Sequence, residues 1–423
     1  MIKFIHTADL HLDSPFVGLK NMAPAIAGAM QEATFGAFDS VIELCLDQEV
    51  DFLVVAGDIY DGADRSLRAQ LRFRDGLRRL AEKGIRSFVA HGNHDPLDGW
   101  TAGLELPEEV VVFPGDRVET VPVVKDGREV ARITGISYPV REVRENLLPK
   151  FNKGKGNAFT IGVLHCNLGS DTGHEPYAPC TLRDLEKKEF DYWALGHVHN
   201  RAEHRLNNGS LVVYPGNTQG RSIRETGERG AVIVTVDDSG TADTSFFPVD
   251  RVRWETVTLD ISKMDKPDRL YEALEEAVEE SRDASGERSL CLRISLEGRG
   301  DIHNILSKPG ELGGLEEDLR RKWQAESPFV WLDCIQDRTR GTIDLEARRR
   351  SGDFVAGMID QFETLAGGLP DKEAEIRELL APVFEKNKTA RKYLQPPDND
   401  KLKQLLERAR ELCLDCLVTE EDQ

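Results

Sequence analysis

No apolar run in this chain approaches the ~20 residues that a membrane-spanning helix needs, so no membrane segment is expected. The opening stretch Met1–His6 soon meets Asp9 and His11, so no signal peptide is expected there. Paired cysteines are missing too, since seven thiols, an odd number, are scattered over 423 residues. That argues against a disulfide framework and for a reducing compartment, so a cytoplasmic location is expected. Cys413 and Cys416 form a lone Cys-x-x-Cys among helical residues, with no second pair to complete a zinc site. Repeats and low-complexity tracts are absent. Positive charge is scarce, with 55 Lys and Arg against 75 Asp and Glu and a net charge of −20. This balance disfavours a broad nucleic-acid-binding surface. It leaves room for a local basic groove, or for a metal site that brings its own positive charge.

A chain of 423 residues exceeds one core, and two or three domains of ordinary size account for it. Over residues 1–250 short apolar runs alternate with helical stretches. IKFI (2–5), FLVVA (52–56), RSFVA (86–90), ARITGI (131–136), TIGVL (160–164) and DYWAL (191–195) read as buried strands ending in polar clusters. Helical patterns at 27–48 and 64–83 separate the early strands, while LVVY (211–214) and GAVIVTV (230–236) follow as hairpin strands. The result is a layered α/β domain with mixed sheets. Residues 251–340 alternate strand, acidic helix, strand, helix and strand, as a compact α+β domain does. From 341 to 423 the chain is helix-rich and charged, broken at Gly367-Gly368, Pro370 and Pro396-Pro397.

Chemistry gathers where the strands end. Asp9 and His11 follow the first strand, Gly57-Asp58 the second and Gly92-Asn93-His94-Asp95 the third. His165 closes GVLH, and His197 and His199 close DYWALGHVH. Open α/β sheets build ligand sites at the carboxyl ends of their strands, so the fold is expected to bring these residues together. A single Asp-x-His arises by chance, but Gly-Asn-His-Asp is rare, and all five elements arrive in a workable order. Mixed carboxylate, imidazole and amide donors suit manganese, iron or zinc over calcium or magnesium. Two such ions, roughly 3.5–4 Å apart and bridged by one carboxylate, hold a scissile phosphate and lower the pKa of a bridging water. A glycine before Asp58, Asn93 and His197 is expected to let the backbone turn sharply there. His94 stands beside the site, placed to protonate a leaving alkoxide.

The runs IKFIHTADLHLDSPF, VVAGDIYD, HGNHD, LHCN, YWALGHVHN and YPGNTQGR resemble the calcineurin-like metallophosphoesterases over residues 1–250. More closely, they resemble the DNA-repair exonuclease branch of SbcD, the Mre-type nuclease subunits and the bacterial YhaO proteins. The resemblance implies a four-layer metallophosphoesterase fold at 1–250, with mixed sheets flanked by helices. A smaller α+β capping domain at 251–340 and a helical region at 341–423 complete the implied layout. By the same resemblance Asp9, His11 and His199 hold one metal, Asn93, His165 and His197 hold the other, and Asp58 bridges both. His94 acts as transition-state stabiliser or acid, with Asp95 orienting it. Two divalent ions are implied, manganese first, with iron or zinc as alternatives. The implied activity is hydrolysis of DNA phosphodiester bonds. The implied partners are DNA, an SbcC-like coiled-coil ATPase and a second copy in a homodimer.

Plainer readings stand beside these. His6 is expected to be a buried support, and His91 either a loop residue or a ring that braces the site. Asp13 and Asp61 either orient histidines or cap turns. His174, His204 and His303 have no motif around them. Residues 65–86 carry Arg65, Arg68, Arg72, Arg74, Arg78, Arg79 and Arg86 around an expected buried stripe of Leu67, Leu71, Leu77 and Leu80. Those arginines form a solvated helix face or track phosphates, while Arg201 and Arg221 are nearer the ligands and better suited to a phosphate backbone. Leu402, Leu405, Leu406, Leu412 and Leu417 are expected to form one apolar stripe, packed on the protein's own body or docking a partner. Two rival functions remain: a phosphodiesterase for a cyclic nucleotide or other small phosphodiester, and a mainly structural subunit of an ATPase complex.

Overall fold

Alternating apolar runs and amphipathic helices fold, in the computed structural model, into two facing six-stranded sheets. The structure describes residues 1–14, 24–62, 66–169, 177–343, 345–350, 352–367, 376–382 and 397–417, so Arg65, His174, Gly368, Pro370 and Pro396 lie outside the described residues. The first sheet holds β1 (Ile2–Thr7), β2 (Phe52–Ala56), β3 (Arg86–Ala90), β4 (Val110–Val112), β11 (Gly230–Val236) and β12 (Ala242–Pro248). The second holds β5 (Glu119–Lys125), β6 (Arg128–Gly135), β7 (Phe159–His165), β8 (Tyr192–Gly196), β9 (Ala202–Arg205) and β10 (Leu211–Tyr214). Their orders are β12-β11-β1-β2-β3-β4 and β5-β6-β7-β8-β10-β9. β1 to β4 run parallel, as do β6, β7, β8 and β10, and antiparallel strands complete the edges. The central strands β2, β7 and β8 are buried throughout, which is why they read as unbroken apolar runs.

Between the sheets Phe4, Phe52 and Phe88 meet Ile161, Tyr192 and Val213. Phe4 stacks on Phe52 with ring centroids 4.8 Å apart and meets Tyr192 edge-on at 5.3 Å. His6 Nδ1 lies 3.0 Å from the Tyr192 hydroxyl, so this buried ring ties one sheet to the other. That is the supporting role expected of it.

Helices α1 (Pro24–Asp47) and α2 (Leu67–Ala81) cover the outer face of the first sheet. Ser66 caps α2 by accepting from Ala69 N at 3.0 Å. The buried face of α2 is Ala69, Gln70, Phe73, Leu77 and Leu80, while Leu67 is 51% exposed. The expected leucine stripe is therefore corrected over its first half, because Leu67 at the first helical position turns outward, Leu71 is only half-buried and Phe73 fills the groove. The helices approach so closely that a Cβ on Gly76 would lie 2.6 Å from the Phe38 ring. The α2 arginines are spoken for. Arg68, Arg72 and Arg79 pair with Glu32, Asp39 and Glu43 of α1.

On the outer face of the second sheet, Trp193 packs with Phe151, Phe190 and Leu185. That layer holds the short α3 (Leu182–Glu186) and a 3-10 turn at Leu148–Lys150, and the chain at 136–151 and 177–180 supplies much of the rest. A third sheet, in order β13-β14-β15, contains β13 (Val252–Asp260), β14 (Ser289–Glu297) and β15 (Val330–Asp337). With it come α4 (Pro267–Ser285), α5 (His303–Leu306) and α6 (Glu311–Trp323). Then follow α7 (Leu345–Arg350), α8 (Phe354–Gly367) and α9 (Asn399–Leu417). Two compact units result, one of Met1–Thr256, Val278–Arg293 and Asp318–Cys334, the other of Val257–Ala277, Ile294–Glu317 and Ile335–Gln423. In the first, Trp254, Cys291 and Trp331 pack on Ile26 and Met30 of α1. In the second, Leu414 of α9 packs with Val355 and Ile359, and Leu402 with Ile376. Leu405, Leu412 and Leu417 are exposed, so the expected single stripe along α9 is replaced by Leu402, Leu406 and Leu414. No helix of the described residues is long and apolar enough to cross a membrane.

Candidate metal centre

The strand order delivers donors to one end of the facing sheets. Asp9 and His11 follow β1, Asp58 follows β2, Asn93 and His94 follow β3, His165 ends β7, and His197 and His199 follow β8. The ligand atoms of Asp9, His11 and His199 lie within 4.8 Å of one another, and so do those of Asp58, His165 and His197. Asn93 Oδ1 joins the second group, 3.0 Å from His165 Nε2 and 3.2 Å from His197 Nδ1. Asp58 stands between the groups, its Oδ2 3.3 Å from His165 Nε2 and 3.9 Å from His11 Nε2. All seven residues singled out as ligands therefore converge. Six are buried, and His199 is partly so.

The local backbone is strained to achieve this. Asp9, His11, Asp58 and His197 adopt positive φ of 52°, 43°, 52° and 99°, a region that costs a non-glycine residue about 1–2 kcal/mol. Cross-strand bonds hold them there. Asp9 N donates to Gly57 O and His11 N to Asp58 O, both at 3.0 Å. His197 N donates to both Asp9 carboxylate oxygens at 3.0 and 3.1 Å, and His94 N to Asp58 Oδ1 at 2.9 Å. The glycines play a different part from the one expected. Only Gly57, at φ +95°, turns through the left-handed region. Gly92 and Gly196 provide space: a Cβ would sit 2.3 Å from Asp58 Oδ1 at the former and 1.9 Å from Ala56 O at the latter.

Outer contacts fix the rings. His165 Nδ1 donates to Ala56 O at 2.9 Å and His199 Nδ1 to Glu225 Oε1 at 2.6 Å, which leaves each Nε2 facing inward. The inward His199 Nε2 lies 3.2 Å from His11 Nε2. Two imidazole lone pairs that close repel unless a proton or a cation lies with them. Burial, and then the Arg221 charge, lowers the His11 pKa to about 3, so this ring is a neutral donor. At His165 burial acts downward, but the Asp58 charge and hydrogen bond, with Asp9, raise the pKa to about 9. Buried carboxylates thus draw a positive charge into the site. Imidazoles, carboxylates and one amide oxygen converging here fit divalent metal ions, whose charge would take the place of the proton on His165.

His94 lies beside the first ligand group, its ring centroid 4.9 Å from that of His11, and with His11 and Asp61 it brings potential ligand atoms within 4.8 Å of one another. Its Nδ1 lies 3.0 Å from Asp61 Oδ1, and Asp61 also lies 3.5 Å from His11 Nδ1. Ser14 Oγ donates to Asp61 Oδ2 at 2.6 Å, and Arg221 sits 3.2 Å away. Burial lowers the His94 pKa, but the Asp61 hydrogen bond and the charges of Asp58 and Asp61 outweigh it, and the pKa is raised. The expectation that Asp95 orients His94 is therefore corrected. Asp95 Oδ2 accepts from His91 Nδ1 and Ile59 N, both at 2.9 Å, and Oδ1 accepts from Gly92 N at 2.7 Å, so this carboxylate braces the turn from its far side. Asp13 is likewise structural, accepting from Gln31 and from the capping Ser66. Of the two basic candidates, Arg221 joins the cluster through Asp61. Arg201 lies over the Phe246 ring at 5.1 Å and 3.7 Å from Glu203.

Glu225 carried no sequence signal, since nothing in its loop marks it among the neighbouring arginines. Beyond His199 it accepts from Asn217 Nδ2 at 2.9 Å and Arg221 N at 2.7 Å. Burial raises its pKa, but the hydrogen bond and charge of His199, with Arg221, bring it down to about 2. Arg229 completes the support, donating to His199 O at 2.6 Å and Asn217 Oδ1 at 3.2 Å.

The chain is similar to known proteins. Residues 2–201 match the calcineurin-like phosphoesterase family, and residues 254–340 match the middle domain of the metallophosphoesterase YhaO. An uncharacterized metallophosphoesterase YhaO of Bacillus subtilis is 36% identical over 348 residues, covering 81% of this chain and 83% of that protein. The chain belongs to the calcineurin-like metallophosphoesterases. This metallophosphoesterase also resembles the DNA double-strand break repair protein Mre11 of Sulfurisphaera tokodaii, 24% identical over 72% of this chain and 76% of that protein. The SbcD component of the nuclease SbcCD of Bacillus subtilis is 22% identical over 88% of this chain and all of that protein's length. Membership in this family makes the chain a metal-binding phosphoester hydrolase.

Proposed function

We propose that this metallophosphoesterase is a two-metal nuclease that hydrolyses DNA phosphodiester bonds, with manganese as the first candidate metal. The observation that carries the reading is Asp58, whose one oxygen stands between two complete donor groups. Asp9, His11 and His199 would hold one ion, Asn93, His165 and His197 the other, and Asp58 both. When bound, the ions supply the charge that holds a phosphate and acidify a water molecule.

The remaining steps belong to the chain. Asp61 keeps the His94 ring protonated and turned, with Nδ1 committed to the carboxylate, so Nε2 carries the proton offered to the leaving oxygen. Arg221, anchored by Asp61, is the guanidinium best placed to meet a phosphate oxygen. Relatives named as Mre11 and as a component of the nuclease SbcCD support DNA as the substrate. A coiled-coil ATPase partner and a homodimer belong to the same proposal, and the exposed Leu405, Leu412 and Leu417 of α9 suit a docking role. The division at 250 and 340 belongs to the same proposal.

The test uses metal-depleted full-length protein resupplied with Mn²⁺ and given end-labelled single- and double-stranded DNA. Asp58→Asn and His94→Gln should each reduce cleavage by about 10² or more. Undiminished cleavage in both variants rejects the proposal.

One observation favours a second reading, a small phosphodiester such as a cyclic nucleotide. The chain carries a net charge of −20, and Arg68, Arg72 and Arg79 of α2 are already paired with acids of α1. Turnover of a cyclic nucleotide alongside inert DNA would select it.

A further inference from the structure

Wholly within the second unit lies a cavity of about 770 Å³, lined by the chain around the ends of β13, β14 and β15 and by one face of α9. Five guanidinium groups line it: Arg299, Arg338, Arg340, Arg408 and Arg410. Their arrangement is built into the backbone. Arg299 and Arg340 are bridge partners, with Arg340 N donating to Gly298 O at 2.9 Å and Gly300 N to Arg340 O at 3.1 Å. Gly298, at φ +94°, draws this loop so tight that a Cβ would lie 2.1 Å from Asp260 Oδ1.

Three carboxylates also line the cavity among the described residues. Glu411 lies 3.0 Å from Arg299 and 2.9 Å from Arg410, whereas Glu297 lies 3.7 Å from Arg338. Asp260 Oδ1 accepts from Ser262 N and Oγ. Among the described lining residues five guanidinium groups stand beside three carboxylates, in a chain whose total charge is −20. Among the described residues Arg408 has no carboxylate partner.

The lining also limits the ligand. Among the described residues no aromatic ring faces the cavity and Leu412 is the one large apolar side chain lining it, so none of them stacks a base there. Planar guanidinium forks are suited to bidentate phosphate contacts. The volume falls within the ~300–1,000 Å³ typical of small-molecule sites. The interspersed carboxylates would oppose a continuous nucleic-acid backbone.

We propose that this cavity binds a small oligophosphate, two or more phosphate groups in a row, either free or as the tail of a nucleotide. The full chain, freed of metal by a chelator, is titrated calorimetrically with tripolyphosphate, ATP and inorganic phosphate. Saturable binding of tripolyphosphate at one site, tighter than phosphate, is expected. Equal affinity for ATP assigns the site to the phosphate chain alone, and tighter ATP binding assigns it to a nucleotide. Arg338→Glu combined with Arg408→Glu should weaken binding about tenfold or more. Both side chains are exposed, so the fold should survive, as thermal melting would show. Arg72→Glu, on the α2 face, serves as the charge control and should leave affinity unchanged. Asp58→Asn should also bind normally, which separates this cavity from the metal centre and from the fate of the nuclease reading. The proposal is overturned if tripolyphosphate does not saturate, if the double variant binds as well as the parent, or if Asp58→Asn abolishes binding. Duplex DNA binding tighter than tripolyphosphate and lost in the double variant would equally overturn it.

Discussion

Glu225 reaches the ligand cluster through a single hydrogen bond, to His199 Nδ1, yet that bond decides which nitrogen faces inward. Glu225→Gln should lower metal affinity by about 10–100-fold, measured by titrating metal into the apoprotein; unchanged affinity would remove Glu225 from the site. Gly196→Ala forces a Cβ against Ala56 O and should cost about 1–3 kcal/mol or more, with a parallel loss of bound metal. His6 gives a pH prediction. Burial lowers its pKa from the ordinary 6.5 to about 3, so between those values the unfolded chain binds a proton that the folded chain does not. Its contribution is full above pH 6.5 and is lost as the pH falls toward 3. Melting temperatures of chelator-treated protein should fall across that window, and His6→Gln should flatten the slope. At this scale the ligands were legible because each buried strand stops at a polar cluster. Asp61 and Glu225 were harder, since a loop carboxylate declares its partner only once the chain has folded. Asp95 misled because neighbours across a tight turn point to opposite sides.

Among elements, the α1–α2 pair shows which contacts carry stability. The crossing at Gly76 and Phe38 is close enough that Gly76→Val should cost about 1–3 kcal/mol by overpacking. Arg72→Ala, which removes one exposed ion pair with Asp39, should cost under about 1 kcal/mol. Urea denaturation of both variants tests that ranking. Strands β1, β2, β3, β7 and β8 were legible from their unbroken apolar runs. The edge strands β5, β9 and β12 were not, because half their residues face solvent and their pattern merges with that of loops. On α9 the leucines divide between two faces, and their spacing alone did not say which face the second unit would bury.

For the whole molecule, charge sets the terms on which a substrate approaches. A net charge of −20 repels DNA at long range, so binding has to come from local contacts. If DNA is the substrate, the logarithm of affinity should fall against the logarithm of salt with a slope of about −0.7 to −0.9 for each phosphate contacted. Arg221→Gln should reduce that slope by about one contact. A flat salt response with full activity would point to a small phosphodiester.

The donors of the metal centre are spread from Asp9 to His199, and His197 N closes on the Asp9 carboxylate across 188 positions. A nascent chain still emerging from the ribosome therefore owns half a site until β8 and the turn after it have cleared the exit. Metal loading has to wait for synthesis to pass His199, so the centre records that the strands carrying its donors, from β1 to β8, have been made and have met.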